Sequence, residues 1–265
     1  MSLMTTIIKK ELRERRTSLV VYSLVSIGAI WLYVAMFPSL QSQAKDLTKI
    51  LEAMPKEILK AFGAEGTGLE NVEGLLASKQ FGLVWPILTI VLMLNRAANS
   101  LAGEIENGTI GTLLSQPISR AKIFLAKYLA GITTLVTFIL ASVLANIPLI
   151  SAYRLSYSVS GELAFTGVCV LYGLALYGAG MAISAFVSER SKVYSLLGGG
   201  IILMFVLNIV SGLQTSLSGL RYTSIFYYFN AHDMLVLHKV NMVSVALFAS
   251  IAVICFIIGL IAFTR

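Results

Sequence analysis

The sequence is poor in charged residues and in cysteine. Only 12% of its 265 residues are Asp, Glu, Lys or Arg, whereas an ordinary soluble domain has about 25%. A water-soluble protein that is 57% hydrophobic, with a mean hydropathy of +0.84, would expose large apolar patches to water. The two cysteines, Cys169 and Cys255, each lie deep in an apolar run without a neighbour at metal or redox spacing, so we interpret them as small buried hydrophobic residues.

The motifs of several enzyme classes are also missing. There is no G-x-x-x-x-G-K-[ST] loop, so this chain is not expected to cradle nucleotide phosphates itself. His232 and His238 do not share a helix face well, and no cysteine or carboxylate cluster completes a metal site beside them. No histidine lies in an apolar run to activate a serine, and no acidic residue falls clearly inside the hydrocarbon. We therefore expect no metal site, no intramembrane protease and no apparatus for proton coupling.

Long apolar runs dominate what is present. A span needs about 20 mostly apolar residues to cross about 30 Å of hydrocarbon, and in lipid a helix satisfies its own backbone hydrogen bonds. The sequence predicts an all-α, polytopic membrane fold in which residues 1–265 form a single transmembrane domain. The six predicted spans are roughly Ser18–Phe37, Phe81–Ser100, Leu125–Ile150, Leu163–Val187, Ser195–Leu217 and Asn241–Phe263.

The distribution of Lys and Arg predicts the orientation of these spans. If the N-terminus is cytoplasmic, the inside segments hold twelve basic and five acidic residues, and the outside segments hold eight of each. Cytoplasmic loops are enriched in Lys and Arg, so we expect both termini inside, in the cell (plasma or inner) membrane of a prokaryote. This orientation explains the net charge of +7, and we expect lipid rather than nucleic acid as a partner. The first run is too long for a typical signal peptide and is expected to be a retained span.

Two segments between the spans have their own patterns. In the outside loop, at about 38–80, apolar residues recur at helical spacing between Ala44 and Met54 and again between Lys56 and Phe62. These predict amphipathic helices that either lie on the outer membrane surface or cap the bundle. Arg96, at the cytoplasmic end of the second span, is expected to snorkel towards water or to pair with Glu104 or Glu106.

The cytoplasmic segment at about 101–120 predicts a short helix along the inner face of the membrane. Glu104 and Glu106 come at its start, where the helix dipole favours negative charge. Pro117 ends the helix, and Ser119 is placed to cap the next one. An ordinary interfacial connector is the alternative. The apolar spacing that indicates the helix is at Ile105, Thr109, Ile110, Leu113 and Leu114.

These residues carry a family resemblance. Residues 103–109 read G-E-I-E-N-G-T, residues 113–120 read L-L-S-Q-P-I-S-R, and Lys127 follows in the next span. After a basic N-terminus, a span, a long outside loop and a second span, this order resembles the permease subunit of type-2 ATP-binding-cassette (ABC) transporters, which are mostly exporters. The resemblance implies a separate cytoplasmic ATPase subunit that binds ATP and Mg²⁺, no cofactor on this chain, and a second copy of the permease.

The resemblance also assigns roles to the cytoplasmic segment. Residues 104–116 match the coupling helix that sits in a groove of the ATPase. Glu104 and Glu106 would contact the ATPase or the basic N-terminal helix, and Gly108 with Thr109 would shape the turn. The remaining residues expected to take part in coupling are Leu113, Leu114, Pro117, Ser119 and Arg120, the last three at the start of the third span. The alternatives are an ATP-independent channel or secondary transporter, active as the purified chain alone, and an intramembrane enzyme.

Overall fold

The computed structural model describes residues 3–42, 71–155, 157–213 and 215–265. Throughout these ranges all regular secondary structure is helical, and six helices are long and apolar enough to cross a bilayer. The predicted all-α fold with six spans is confirmed. The amphipathic helices expected between residues 44 and 62 lie outside the described residues.

Within each described range the helices follow one another with short connections. In chain order they are α1 (Leu3–Glu14), α2 (Arg16–Ser42), α3 (Val72–Ala98), α4 (Leu101–Glu106), α5 (Ile110–Leu114), α6 (Arg120–Ser142), α7 (Asn146–Ala152), α8 (Val159–Phe186), α9 (Arg190–Leu213), α10 (Ile225–Tyr228), α11 (Ala231–Leu235) and α12 (Met242–Thr264). A 3₁₀ helix at Thr215–Thr223 precedes α10. The candidate spans are α2, α3, α6 together with α7, α8, α9 and α12.

Several spans are longer than the hydropathy pattern predicted. α3 begins at Val72 rather than near Phe81, because Asn71 caps it: the Asn71 side chain accepts a hydrogen bond from the Gly74 N–H at 2.7 Å. The first turns of α3 are buried against the bundle at Leu75 and Leu76. The described helices therefore extend into both ends of the predicted outside loop, since α2 also continues through Pro38 to Ser42. Hydropathy alone missed these turns because they carry polar residues.

The bundle is organised around α8, the most buried of the spans. Small residues let α12 approach α8 closely. A Cβ added at Gly178 would lie 3.3 Å from the Ala252 carbonyl oxygen, and one added at Gly259 would lie 3.2 Å from the Ala182 Cα. α2, α9 and α12 keep large apolar side chains on the outside of the bundle, as expected of helices that face lipid or another membrane protein.

Both termini lie at one end of the bundle, which we call the terminal end. There the N-terminal helix buries Ile7 against Ile123 and Ala126 of α6, and Leu113 of α5 and Phe263 of α12 pack onto the same cluster. The opposite end, which we call the far end, is formed by α7, α10, α11 and the first turns of α3 and α8. The α4–α5 segment therefore shares an end with the two termini, as the predicted arrangement of six spans requires.

An aromatic cluster joins the helices towards the far end. The Trp85 ring stacks on Phe229 with a centroid distance of 5.7 Å and on Phe138 at 6.1 Å. Its indole N–H donates a hydrogen bond to the Ser142 hydroxyl at 2.9 Å, so the one polar atom of this buried ring is satisfied. The cluster fixes the connection between α9 and α12 against α3 and α6.

Gly131 of α6 offers a direct test of this packing. The Tyr177 side chain is fully buried over Gly131, and a Cβ added there would lie 2.0 Å from the Tyr177 Cζ atom. We expect Gly131→Ala to lower the thermal unfolding temperature in detergent, since overpacking of this kind costs about 1–3 kcal/mol. The matched control is Gly167→Ala, where an added Cβ meets nothing within 4 Å. Equal unfolding temperatures for the two variants would contradict the packing described here.

Candidate functional site

Four charged side chains from four helices meet at the terminal end, and we call them the charge network. They are Glu11 of α1, Arg96 of α3, Glu104 of α4 and Lys127 of α6. The Lys127 ammonium donates a hydrogen bond to the Glu11 carboxylate, with which it forms an ion pair, and it lies 3.0 Å from Glu104 Oε1. Arg96 Nη1 lies 3.5 Å from Glu11 Oε2 and donates a hydrogen bond to the Glu11 backbone carbonyl at 3.0 Å. The network contains two cations and two anions, so its formal charges balance.

Three members of the network are almost fully buried. Lys127 is 2% exposed, Arg96 4% and Glu11 7%. Burying a charge is costly unless it is paired and hydrogen-bonded. A buried ion pair adds little net stability over an apolar replacement, but removing one partner costs about 3–5 kcal/mol because the other charge is left behind. The network therefore holds α1 and α4 against α3 and α6 in one arrangement.

The segment between the second and third spans forms two short helices, where the sequence predicted a single one. α4 ends at Glu106, a turn follows at Asn107 and Gly108, and α5 begins at Ile110. Gly108 has φ = +71°, a conformation in which a residue with a Cβ is strained. Glu104 lies in the first turn of α4, as the interpretation from the helix dipole requires, whereas Glu106 is the last residue of α4, so for Glu106 that interpretation was wrong. Cations and hydrogen-bond donors contact both carboxylates.

Glu104 is held from both sides. Lys127 contacts one carboxylate oxygen, and the Thr109 hydroxyl donates to the other. The Thr109 N–H also donates to the Glu104 backbone carbonyl at 2.9 Å, which closes the turn between α4 and α5. Burial on its own raises the pKa of Glu104, but attraction to Lys127 and the hydrogen bond from Thr109 outweigh burial and lower the pKa below its ordinary value.

Glu106 connects α4 to the start of α9. Its Oε2 accepts a hydrogen bond from the Arg190 backbone N–H at 2.7 Å and lies 3.7 Å from Arg190 Nε. The Arg190 guanidinium also donates to the Asn107 side chain. On the other side of α4, the Ala102 N–H donates to the Ser184 hydroxyl of α8 at 2.9 Å. α4 is thus tied to α6, α8 and α9, and through Lys127 to α1.

α5 is attached on one face and open on the other. Leu113 is partly buried against the apolar cluster formed by α1 and α6, whereas Leu114 is exposed. We call the outward side the exposed face of α5. Its residues are Gly111, Thr112, Leu114 and Ser115.

The remaining predicted residues make the connection to α6. Pro117 is exposed in the bend at residues 116–118, and Arg120 is the exposed first residue of α6. Ser119 caps α6, because its hydroxyl accepts a hydrogen bond from the Lys122 N–H at 3.4 Å. The prediction that Ser119 caps this helix is confirmed.

The partner of Arg96 differs from the predicted one. Arg96 is buried and pairs with Glu11, so the interpretations that it snorkels or pairs with Glu104 or Glu106 were wrong. Reasoning from the residues themselves missed Glu11 as the common anion of the network. A signal was present in the sequence: Glu11 follows Ile7 by four residues, which places both on the same face of a helix, and that face is the buried one.

The expectation that no acid lies within a span also needs correction. Because α3 and α8 begin earlier than predicted, Glu73 and Glu162 fall in the first turns of the candidate spans Val72–Ala98 and Gly161–Phe186. Glu162 is fully buried there. A hydropathy window places such residues in loops, since it cannot show that neighbouring helices cover them.

The chain matches a known protein family. The model of a family described as "ABC-2 family transporter protein" matches residues 5–265. This range includes all six candidate spans, the charge network and the α4–α5 segment. A search of curated proteins returns no match.

The charge network predicts the effect of removing its central cation. We expect Lys127→Met to lower the free energy of unfolding by about 3–5 kcal/mol, because Glu11 and Glu104 lose their buried counter-charge. Thermal unfolding in detergent measures the loss, and Lys122→Met, which removes an exposed lysine of the same helix, is the control. Combining Lys127→Met with Glu11→Gln should cost less than the two changes added together. Strict additivity would show that Glu11 and Lys127 do not interact.

The lowered pKa of Glu104 predicts a dependence on pH. A carboxyl group whose pKa is lower in the folded state stabilises that state above its unfolded pKa, about 4.3, and loses the contribution as the pH falls through the folded value. We expect wild type to be more stable than Glu104→Gln at neutral pH, with the difference shrinking in acid below that unfolded value. The measurement is the difference in unfolding temperature across a pH series. A difference that grew towards acid pH would contradict the assignment.

Proposed function

The chain belongs to the ABC-2 family of transporter proteins, and from this we propose that it is the permease subunit of an ATP-driven exporter, coupled to a separate ATPase subunit. The family and the six apolar helices identify a multi-pass membrane component of a transporter. The single observation that supports coupling to an ATPase is the α4–α5 segment. It is a short structured element that ion pairs attach to the bundle, and one of its faces is exposed. We propose that the terminal end is cytoplasmic, as the excess of Lys and Arg there indicates.

The proposed contact with the ATPase is the exposed face of α5. An ATPase that closes on ATP can move the spans only if it pushes on an element that does not yield. α4 meets this requirement, because Glu104 and Glu106 attach it to Lys127 and to Arg190. In this proposal the two acids brace the segment from within, and Leu114 and its exposed neighbours make the direct contact.

The other predicted coupling residues have supporting parts in this proposal. Gly108 and Thr109 make the turn that sets the direction of α5. Leu113 anchors α5 to the apolar cluster at the terminal end. Pro117, Ser119 and Arg120 lead from α5 into α6, so a displacement of α5 reaches the third span directly.

The proposal places ATP and Mg²⁺ in the partner ATPase, because this chain has no phosphate-binding loop. It also includes a second copy of the permease beside the first in the cell membrane. The outward faces of α2 and α9 support this part, since large side chains such as Trp31, Ile202 and Leu203 are more than half exposed. Part of this surface would face lipid and part the second copy.

A secondary transporter or channel is the alternative function, and one observation favours it. Glu162 is a buried acid inside a candidate span, and such residues are common in ion and proton pathways. The two functions differ in a simple respect. A secondary transporter moves substrate as the purified chain alone, whereas a permease needs its ATPase.

The proposal predicts that the exposed face of α5 is needed for binding the ATPase. The chain is co-expressed with the ATP-binding-cassette ATPase encoded beside it, and co-purification and ATP hydrolysis are measured. Leu114→Asp should reduce the amount of co-purified ATPase at least tenfold, because it places a charge in a desolvated contact. The variant should still insert and unfold like wild type, since Leu114 is exposed in the permease alone.

Leu237→Asp is the matched control, because Leu237 is an exposed leucine at the far end. It should leave both co-purification and ATP hydrolysis unchanged. If Leu114→Asp binds the ATPase as wild type does, α5 is not the coupling element. If no ATP-binding-cassette ATPase co-purifies with wild type and the purified chain transports by itself, the alternative function is the correct one.

A further inference from the structure

A second polar site lies at the far end, around Glu162. Asn146 donates a side-chain hydrogen bond to Glu162 Oε1 at 2.9 Å, and the Tyr157 hydroxyl donates to Oε2. Both Glu162 and Asn146 are fully buried. Glu73, a second acid beside them, accepts a hydrogen bond from the Ser158 N–H at 2.7 Å. The site thus joins the first turns of α3, α7 and α8 with the connection between α7 and α8.

No positive charge compensates Glu162 among the described residues. Its direct partners are a neutral amide and a neutral hydroxyl, and it takes part in none of the ion pairs there. Arg154 is the basic residue nearest to Glu162 along the chain, and it is exposed. On and after α11, His232 is partly exposed, and His238 and Lys239 are exposed. The His238 ring lies beside the neighbouring residue Gly161, where an added Cβ would be 2.6 Å from its Nδ1, but it makes no ion pair with Glu162 among the described residues.

The other titratable groups around the site add no cation. Glu73 reaches it from α3, Tyr157 from the connection before α8, and Cys169 lies two turns further along α8. On α11, Asp233 is partly exposed. A buried carboxylate with neutral donors and another acid beside it is strongly disfavoured unless it acquires a positive charge.

The site also contains an acceptor without a donor. Asn146 Oδ1 is buried and has no hydrogen-bond partner within the described part of the chain, and buried polar atoms are normally satisfied. Asn146 begins α7 immediately after the break between α6 and α7 at residues 143–145. Its amide oxygen, the Tyr157 hydroxyl and the Glu162 carboxylate together supply oxygen ligands only, the type that hard cations prefer.

We infer that Glu162 and Asn146 form a binding site for one small monovalent cation, either a proton or an alkali metal ion. A proton would reside on the Glu162 carboxyl group, and a rotation of the Asn146 amide, whose N–H now faces Oε1, would turn its free oxygen towards that proton as the acceptor. An alkali ion would be held by the carboxylate, the amide oxygen and the Tyr157 hydroxyl. In both cases the bound charge offsets the repulsion between Glu162 and Glu73 and strengthens the contact that α8 already makes with Asn146 after the break between α6 and α7. The inference does not depend on the proposed ATPase partner.

The test uses the purified full chain in detergent or lipid nanodiscs, without ATPase. Infrared spectra show whether a buried carboxyl group is protonated, through its carbonyl stretching band. Unfolding temperatures in sodium, potassium or lithium chloride, with choline chloride as the reference, show alkali binding. We expect one of two results for wild type: a carboxyl band that persists at neutral pH, or a saturable rise in unfolding temperature with one alkali ion. Glu162→Gln should abolish whichever result is seen.

The matched control is Glu14→Gln, which removes an exposed acid at the terminal end and should change neither result. If Glu162→Gln does not fold, Tyr157→Phe keeps the carboxyl group and removes one partner, so the band should shift or the alkali affinity should fall. A persistent band identifies the proton as the ligand, and an alkali-dependent unfolding temperature identifies the metal ion. The inference is overturned if wild type shows neither, or if Glu162→Gln and Tyr157→Phe both leave the signal unchanged.

Discussion

The position of the N-terminal helix depends on one buried interaction, the contact of Lys127 with Glu11 and Glu104. α1 is amphipathic and too short to be stable alone in water, and α4 has only six residues. Each supplies one carboxylate to the same ammonium group of α6, and Arg96 of α3 balances the second charge. Since a lone buried charge is costly, none of these four helices can leave the terminal end without exposing or stranding a charge. Ion pairs thus hold these helices together at the terminal end, as apolar burial holds the helices together along the spans.

In this arrangement, the residues that attach the α4–α5 segment to the bundle differ from those that form its exposed surface. Glu104, which holds α4, points towards the buried Lys127, and α5 beyond the glycine turn presents its small and apolar residues outwards. A surface that needs no charge of its own to keep its shape can be adapted to a partner without disturbing the fold. The family match extends over both parts, so a charge-rich motif lies directly beside an exposed surface that carries little charge.

The sequence predicted the spans well and the polar contacts less well, for physical reasons. The hydrocarbon of a bilayer is the favourable environment for long apolar runs, so hydropathy alone predicted the six helices. The ends of α3 and α8 did not, because polar residues such as Asn71 and Glu162 are covered by other helices, which a local pattern cannot show. The resemblance to a known family singled out Glu104 and Lys127, but not their link through Glu11. Which anion pairs with which cation depends on helix rotation, and that is fixed only by the packed bundle.

Near its start, α9 contains a turn that is wider than an ordinary α-helical turn, and this turn sets the direction of the side chains beyond it. Residues Tyr194–Gly198 are π-helical, and a π turn of this kind corresponds to one extra residue inserted into an α-helix. One residue changes the direction of every later side chain by roughly 100° about the helix axis, given 3.6 residues per turn. Ile202, Leu203 and Val206, which point away from the bundle, therefore owe their direction to that single additional residue. Deleting one residue of this turn would leave the rest of the α9 sequence unchanged and would turn a different stripe of it towards its neighbours.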